Sequence, residues 1–408
     1  MSGTERGKIE GRSVLYLAPG FMSYRVHKHV RGVQVFDLQL IRQMVELGLI
    51  VTLPAERSWK PRLIGAGDGF GDVGALGDLT KERAGRAGGA GRLKILWTPT
   101  LRKPLWNGLW AAGAMGLSRA RFDVCYLGNA GEGLAQAAGL MHRLGIFQRL
   151  VLLAHRYPKR RLIALLKRAR GGGRSLAVSN NVRSMFPEDL SPPCEIRFGE
   201  MDHAKFFPAE CAGHANANDR GGGEGSRGVR GDGLVHFVML GALDTPLKDV
   251  PTALKAFAMI PEQVRAKCRL HLASFASPPT DLLAGVTAYP WMAIDRVPGF
   301  LRTMDAMLVT SLSETFCLAL VQGMLTGLPS VVRDIGTLTE KVEGGENGVG
   351  GRGGLVFSTP EQLAAHMTTL ATDAELRAKM GAVARRTALE RYTWRTDEFV
   401  REVLFGED

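Results

Sequence analysis

The sequence predicts an α/β protein of two domains with a cleft between them, and three observations carry that expectation. The chain has 408 residues, 45% of them hydrophobic, enough for two or three domains that each bury a core. Short apolar runs alternate with helical periodicity in both halves. Glycine is high, 51 residues, and it clusters: ten fall in 65–91 and eight in 209–233, stretches that cannot pack a core. The first reads as a surface insertion and the second as a linker. They frame a first domain over 13–207 and a second over 208–408.

The elements follow in order. Ser13–Pro19 is a short apolar run closed by Pro19-Gly20, a buried strand. Val35, Leu38, Ile41 and Val45 recur at helical spacing within Gln34–Leu47, and Gly48 ends that helix. Leu49–Leu53 is the next strand, so the chain opens with a βαβ unit and a parallel sheet. Leu93–Trp97, Val124–Leu127, Leu150–Ala154 and Ser175–Val178 read as further strands, with a basic amphipathic helix over Pro158–Arg170. In the second half, strands are expected at Leu234–Leu240, Cys268–Ala273, Ala306–Thr310, Ser330–Val332 and Gly354–Phe357. Helices are expected at Val250–Met259, Phe316–Thr326, Pro360–Ala371 and Asp373–Arg391. A terminal helix over 393–404 is placed to pack back on the first domain. Met1–Arg12 is polar, its Ile9–Arg12 reads as a linker or tail, and it is left out of the fold.

Charge is uneven. The net charge is +12. Residues 13–207 hold 29 Lys and Arg against 14 Asp and Glu, a net of +15; residues 208–408 hold 20 against 24, a net of −4. A basic half attracts phosphates, whether on nucleic acid, anionic lipid or a nucleotide-linked substrate. No apolar run reaches the ~18 residues of a membrane span. Five cysteines show no Cys-x-x-Cys and no zinc spacing, as in a reduced cytoplasm.

Ligands in open α/β sheets bind beyond the carboxyl ends of the strands. After the first strand come Arg25, His27, Lys28, His29, Arg31 and Gly32, ahead of a helix start that suits a phosphate. No Gly-x-Gly-x-x-Gly accompanies them, which gives no support to a dinucleotide site. The segment Ser311–Met324 is more specific. A strand delivers Glu314 to a loop and a helix begins at once. A carboxylate accepts from sugar hydroxyls, and the N–H groups of a helix start near Phe316, Cys317 and Leu318 donate to phosphate oxygens. Together they describe a nucleotide-sugar. Gln322 lies further along, placed to reach a ribose. The plain alternative is a Glu that caps its own helix. No Asp-x-Asp pair is present to hold a divalent ion, so a metal-independent site without cofactor is expected.

This segment resembles the donor motif of the retaining GT-B glycosyltransferases of family 4 (group 1): Glu314, then Gln322 where the family has a second Glu, then Gly323 through Gly327-Leu328-Pro329. Other blocks agree in order: Gly32-Val33-Gln34-Val35 with the N-terminal donor loop, Ala154-His155 with a strand-end His, Ala177-Val178-Ser179 with the next strand, Arg197–Asp202 with Phe207-Pro208, and Lys248 with the diphosphate-binding Lys. The resemblance implies the GT-B architecture, two Rossmann-like domains facing each other across a cleft. It also implies a front-face transfer of a hexose from a nucleoside-diphosphate donor, with no enzyme nucleophile and with the leaving phosphate helping to deprotonate the acceptor. His155 and Glu314 would serve the donor sugar, and Gly32, Lys248, Phe316, Cys317, Leu318 and Gln322 the rest of the donor. Three positions depart from the family: Ala242 replaces an Arg, Gln322 a Glu, and Thr315 and Cys317 two glycines.

The acceptor implied is a hydroxyl of a lipid-linked or cell-envelope glycan. The helix 158–170, with Trp106 and Trp110 beside Arg102 and Lys103, suits either an anionic membrane surface, which places the protein in the cytoplasm or on the inner face of the membrane, or a sheet-covering helix with solvated cations and Trp side chains in the core or an acceptor pocket. Ala242 and Gln322 motivate an alternative: a degenerate relative that binds a partner or glycan without turnover. A nucleic-acid partner ranks last, since only the charge suggests it.

Overall fold

The computed structural model describes residues 9–18, 21, 32–59, 91–99, 104–128, 132–155, 158, 160–169, 173–200, 203–209, 232–343 and 352–407. The described residues fall into two compact units: 1–201 with 395–408, and 202–394.

The first unit carries a seven-stranded parallel sheet in the order β3-β2-β1-β4-β5-β6-β7. Its strands are β1 (Ser13–Leu17), β2 (Ile50–Glu56), β3 (Arg92–Thr98), β4 (Phe122–Gly128), β5 (Phe147–Ala154), β6 (Gly173–Ala177) and β7 (Glu195–Ile196). Its long helices are α1 (Gly32–Glu46), α2 (Pro104–Leu117), α3 (Glu132–Arg143) and α4 (Arg160–Arg168). α2 and α3 are additions to the sequence reading. α2 is almost entirely apolar, so no polar stripe marks it, yet Asn107, Ala111 and Met115 are buried while Trp106, Trp110 and Leu117 are exposed. α2 packs on α3 and α3 on α4.

The segment Ile9–Arg12 belongs to the fold, contrary to its exclusion above. Ile9 is fully buried, Gly11 N–H donates to the Gly48 carbonyl at 3.0 Å, and Arg12 pairs with Glu407 at 2.7 Å. The apolar Ile9 drives this, an isolated side chain that a polar tail conceals. The insertion expected at 65–91 lies almost wholly outside the described residues, as does the linker at 209–233.

The second unit repeats the order in six strands, β10-β9-β8-β11-β12-β13, all parallel. These are β8 (Val235–Leu240), β9 (Cys268–Phe275), β10 (Val286–Pro290), β11 (Ala306–Val309), β12 (Ser330–Arg333) and β13 (Gly354–Phe357). Its main helices are α5 (Val250–Met259), α6 (Leu318–Leu325), α7 (Gly336–Val342), α8 (Pro360–Thr372) and α9 (Ala374–Arg391). Phe237, Phe257, Leu270, Leu308, Val331 and Leu363 form part of its core. Fully burying each such side chain is worth about 1.5–3 kcal/mol. α8 starts with a capping box: Thr359 accepts from Gln362 N–H, and Gln362 reaches back to Thr359 N–H.

The units divide at 201/202 rather than at 207/208. Residues 205–208 are held by the second unit. Arg302 donates to the Lys205 carbonyl at 3.1 Å and lies 4.3 Å from the Phe207 ring centroid, while Arg385 donates to the Phe206 carbonyl at 3.0 Å. Residues 395–408 return to the first unit, where Thr396–Phe405 is helical and Arg149, Arg174 and Arg197 bind its carbonyls and Glu402. Those cations face the negative end of a helix.

In both sheets the strand order turns back beside the first strand, at β1/β4 and at β8/β11, the positions where such sheets bind ligands. At the first, Tyr16 and Tyr126 are register partners with rings 4.7 Å apart, and Tyr16 OH donates to Asp37 Oδ1 of α1 at 2.7 Å. Burial pushes the Asp37 carboxyl up to about 7, with the Tyr16 hydrogen bond partly opposing it. A carboxyl that holds its proton more tightly when folded stabilises the fold below its unfolded value and loses that contribution as pH rises from about 3.8 through about 7. Asp37→Asn is therefore expected to gain thermal stability over the wild type at pH 8 and little at pH 4. A difference in Tm that is the same at both pH values would contradict this.

Candidate donor site

The second switch point gathers the ends of three strands. Gly241 follows β8 with φ +140°, and a Cβ there would lie 3.3 Å from Lys248 Cε, so the glycine leaves the room through which Lys248 folds back over the strand end. Lys248 Nζ donates to Glu314 Oε1 at 2.6 Å. Thr310, just past β11, donates from Oγ1 to the carbonyls of Lys248 and Asp249 at 2.7 and 3.0 Å. Leu312 N–H donates to the Leu247 carbonyl at 2.8 Å. Arg333, ending β12, donates to the Thr310 carbonyl at 2.9 Å and pairs with Asp249, a residue held in the left-handed region at φ +46°. These bonds lock the Lys248 turn to the Glu314 loop.

The side chains of Lys248 and Glu314 are 21% and 14% exposed, enough for a ligand to reach them. Burial pulls the Lys248 ammonium down, but the neighbouring Cys317 and Glu314 charges outweigh it and raise its pKa above the ordinary lysine value. Burial pushes the Cys317 thiol up to about 12, so at neutral pH it is uncharged and Glu314 is the partner that counts.

α6 begins at Leu318, two residues later than its periodicity suggests, because Cys317 adopts the left-handed conformation, φ +66° and ψ +74°. That conformation disfavours side chains with a Cβ by about 1–2 kcal/mol. Phe316 and Cys317 are buried, and Leu318 is the first helical residue. Gln322, 7% exposed, sits one turn into α6, with its carbonyl taking the Thr326 hydroxyl at 2.8 Å. Gly323 lets α6 approach β11, since a Cβ there would meet Met307 at 2.8 Å.

The structure thus brings together Lys248, Glu314, Phe316, Cys317 and Leu318, with Gln322 close by in sequence on α6. Two expected site residues lie in the first unit. Gly32 is the first residue of α1 rather than a loop residue before it, and Arg25 and Arg31 lie outside the described residues. His155 follows β5 and is buried, with the Phe36 and Phe198 rings 5.6 and 4.8 Å away, both edge-on. The sequence reading missed Arg333 and Asp249 as site-forming residues. Arg333 directly follows the apolar run Ser330–Val332, the strand-end signal that singled out Glu314. Among the described residues no group of three or more His, Cys, Asp or Glu is placed to hold a metal.

Residues 235–373 match the family described as glycosyl transferases group 1. That match covers about a third of the chain and lies within the second unit. Solved structures extend the fold to the whole chain. A glycosyltransferase from Rickettsia africae ESF-5 superposes with a TM-score of 0.65 at 13% identity, covering 97% of this chain and 100% of its own. Sucrose-phosphate synthase from Thermosynechococcus elongatus gives 0.64 at 13%, covering 95% and 96%. Anabaena HepE, solved with UDP-glucose, gives 0.60 at 15%, covering 93% and 95%. No curated protein matches the chain. The doubly Rossmann-like GT-B fold expected from the sequence is present.

Cys317 supplies a test of the site. If its backbone N–H and left-handed turn matter and its thiol does not, Cys317→Gly will keep nucleoside-diphosphate affinity and thermal stability. Cys317→Val, β-branched and strained at positive φ, will lose at least tenfold in affinity by titration calorimetry. Equal losses in both would assign the role to the thiol.

Proposed function

We propose that the protein is a retaining glycosyltransferase that moves a hexose from a nucleoside-diphosphate donor to an acceptor hydroxyl without a metal. The observation that carries this is the Lys248–Glu314 pair at the β8/β11 switch point, beside the start of α6. A cation and free helix N–H groups suit the diphosphate, and the carboxylate suits sugar hydroxyls. Their 2.6 Å contact sets the two groups side by side, as a sugar and the phosphate bonded to it require. In the reaction the C1–O bond to the diphosphate breaks and the acceptor oxygen bonds to C1 on the same face. The acceptor proton passes to the leaving phosphate oxygen. Lys248 and the N-terminus of α6 stabilise the charge that develops there. Glu314 holds the sugar and Gln322 the ribose. UDP-glucose, bound in the HepE structure, is the first donor to try.

Glu314→Ala is expected to lower kcat at least a thousandfold in a transfer assay and to leave UDP affinity unchanged or tighter, because Lys248 is released from its partner. An equal loss of both would make Glu314 a structural residue.

We further propose that the acceptor is lipid-linked and that the first unit rests on an anionic membrane. Trp106, Trp110 and Leu117, 54%, 41% and 90% exposed, form one stripe along α2. Arg160, Arg161 and Arg168 are exposed on α4, whereas Lys167 is engaged with Asp189 at 2.5 Å. Lys159 and Arg170 lie outside the described residues. No helix among the described residues is long and apolar enough to cross a membrane. Each cation near an anionic surface contributes about 1 kcal/mol. The protein is expected to co-sediment with phosphatidylserine vesicles at low salt and to lose this when Arg160, Arg161 and Arg168 become Gln. Equal binding of the triple variant, or none by the wild type, would overturn the membrane reading and favour a soluble acceptor.

A further inference from the structure

Lys341 of α7 is buried, its side chain without solvent exposure. Its Nζ donates to the Thr337 carbonyl at 2.9 Å and to Glu340 Oε1 at 3.4 Å. It lies 4.6 Å from the ring centroid of Phe316 and 5.2 Å from that of Tyr392, and those two rings meet edge-on at 6.0 Å. Two acceptors and two ring faces are the surroundings of an ammonium ion, not of a neutral amine.

A methionine would fill this volume at lower cost, since a buried charge carries a desolvation penalty that an apolar side chain does not. What the charge adds is field. Phe316 directly precedes Cys317, whose turn opens α6, so the ammonium lies beneath the residues that present N–H groups to the donor. Lys248 alone does not leave the site positive, because its charge is matched by Glu314 at 2.6 Å.

We infer that Lys341 is a buried positioning cation for the donor diphosphate, acting through Phe316 and the first turn of α6 rather than by contact. It supplies the net positive charge that the Lys248–Glu314 pair does not. In a low-dielectric interior that charge is felt over several ångströms. The inference rests on the donor-site reading above.

The groups around Lys341 make it separable by pH. Burial pulls its pKa below the ordinary lysine value, with Glu340, Cys317 and Glu314 opposing. Lys248 is shifted the other way, and burial pushes both Cys317 and Tyr392 up to about 12. As pH rises, Lys341 is the first of these to lose charge.

The test is calorimetric titration of wild type and Lys341→Met with UDP, ADP and GDP, using for each protein the diphosphate the wild type binds best and its parent nucleoside. The expected result is at least a tenfold loss of diphosphate affinity in Lys341→Met, with nucleoside affinity unchanged and Tm no lower than that of the wild type. Equal loss for diphosphate and nucleoside, or no loss, would overturn the inference. If the variant does not fold, the wild type decides. The ratio of diphosphate to nucleoside affinity should fall as pH rises from 7 towards the ordinary lysine value of 10.5, and a flat ratio would overturn it. No diphosphate binding by the wild type would instead overturn the donor-site reading, and this inference with it.

Discussion

The ion pair between Lys248 and Glu314 is the contact on which the geometry of the proposed donor site depends. It joins a turn after β8 to a loop after β11, two strands distant in sequence and adjacent in the sheet. Parallel pairing places both strand ends on one edge, and the reversal of strand order there leaves a crevice between them. Thr310 and Arg333 fix the backbone on either side, so the pair is held by three strand ends at once. In the proposed function, this partly exposed pair exchanges its internal hydrogen bond for ones to a ligand that carries both hydroxyls and an anion.

The turn at Cys317 shows how backbone and electrostatics combine. A residue with a side chain occupies a left-handed position that glycine would take without strain, and it does so directly between the Glu314 loop and the first turn of α6. Such strain persists only where the surroundings hold it, and sites that bind ligands are where it gathers. Phe316 is packed from below by Lys341 and Tyr392, while Leu320 N–H closes back on the Cys317 carbonyl at 3.1 Å. The loop is therefore anchored on one side by aromatic packing over a cation and on the other by the helix it starts.

Much of this was legible in the sequence because the second unit obeys simple patterns. Val250–Met259 and Gly354–Phe357 have the bounds their periodicity and flanking residues suggest. Glu314 stood out because a charged residue between an apolar strand and an apolar helix has few structural reasons to be there. Other parts left no such trace. α2 is apolar on nearly every face, so its period carried no signal, and β10 is a short edge strand ending in Pro290. Ile9 hid in a polar context. Lys341 was unreadable, because a lysine in a helix with Glu340 beside it looks like a solvent-facing residue. Only the packing of Phe316 and Tyr392 around it reveals its burial.

In the proposed function the β8/β11 crevice grips a nucleotide-sugar by its diphosphate and its sugar together. Thermal shift of the whole chain with a nucleoside, its diphosphate and its diphosphate-sugar tests this most directly. A ligand at 100 times its Kd adds about 2.7 kcal/mol of stability. At one fixed concentration the smallest rise in Tm is expected for the nucleoside, a larger one for the diphosphate and the largest for the diphosphate-sugar. A rise that is the same for all three, or none for any base tried, would contradict it.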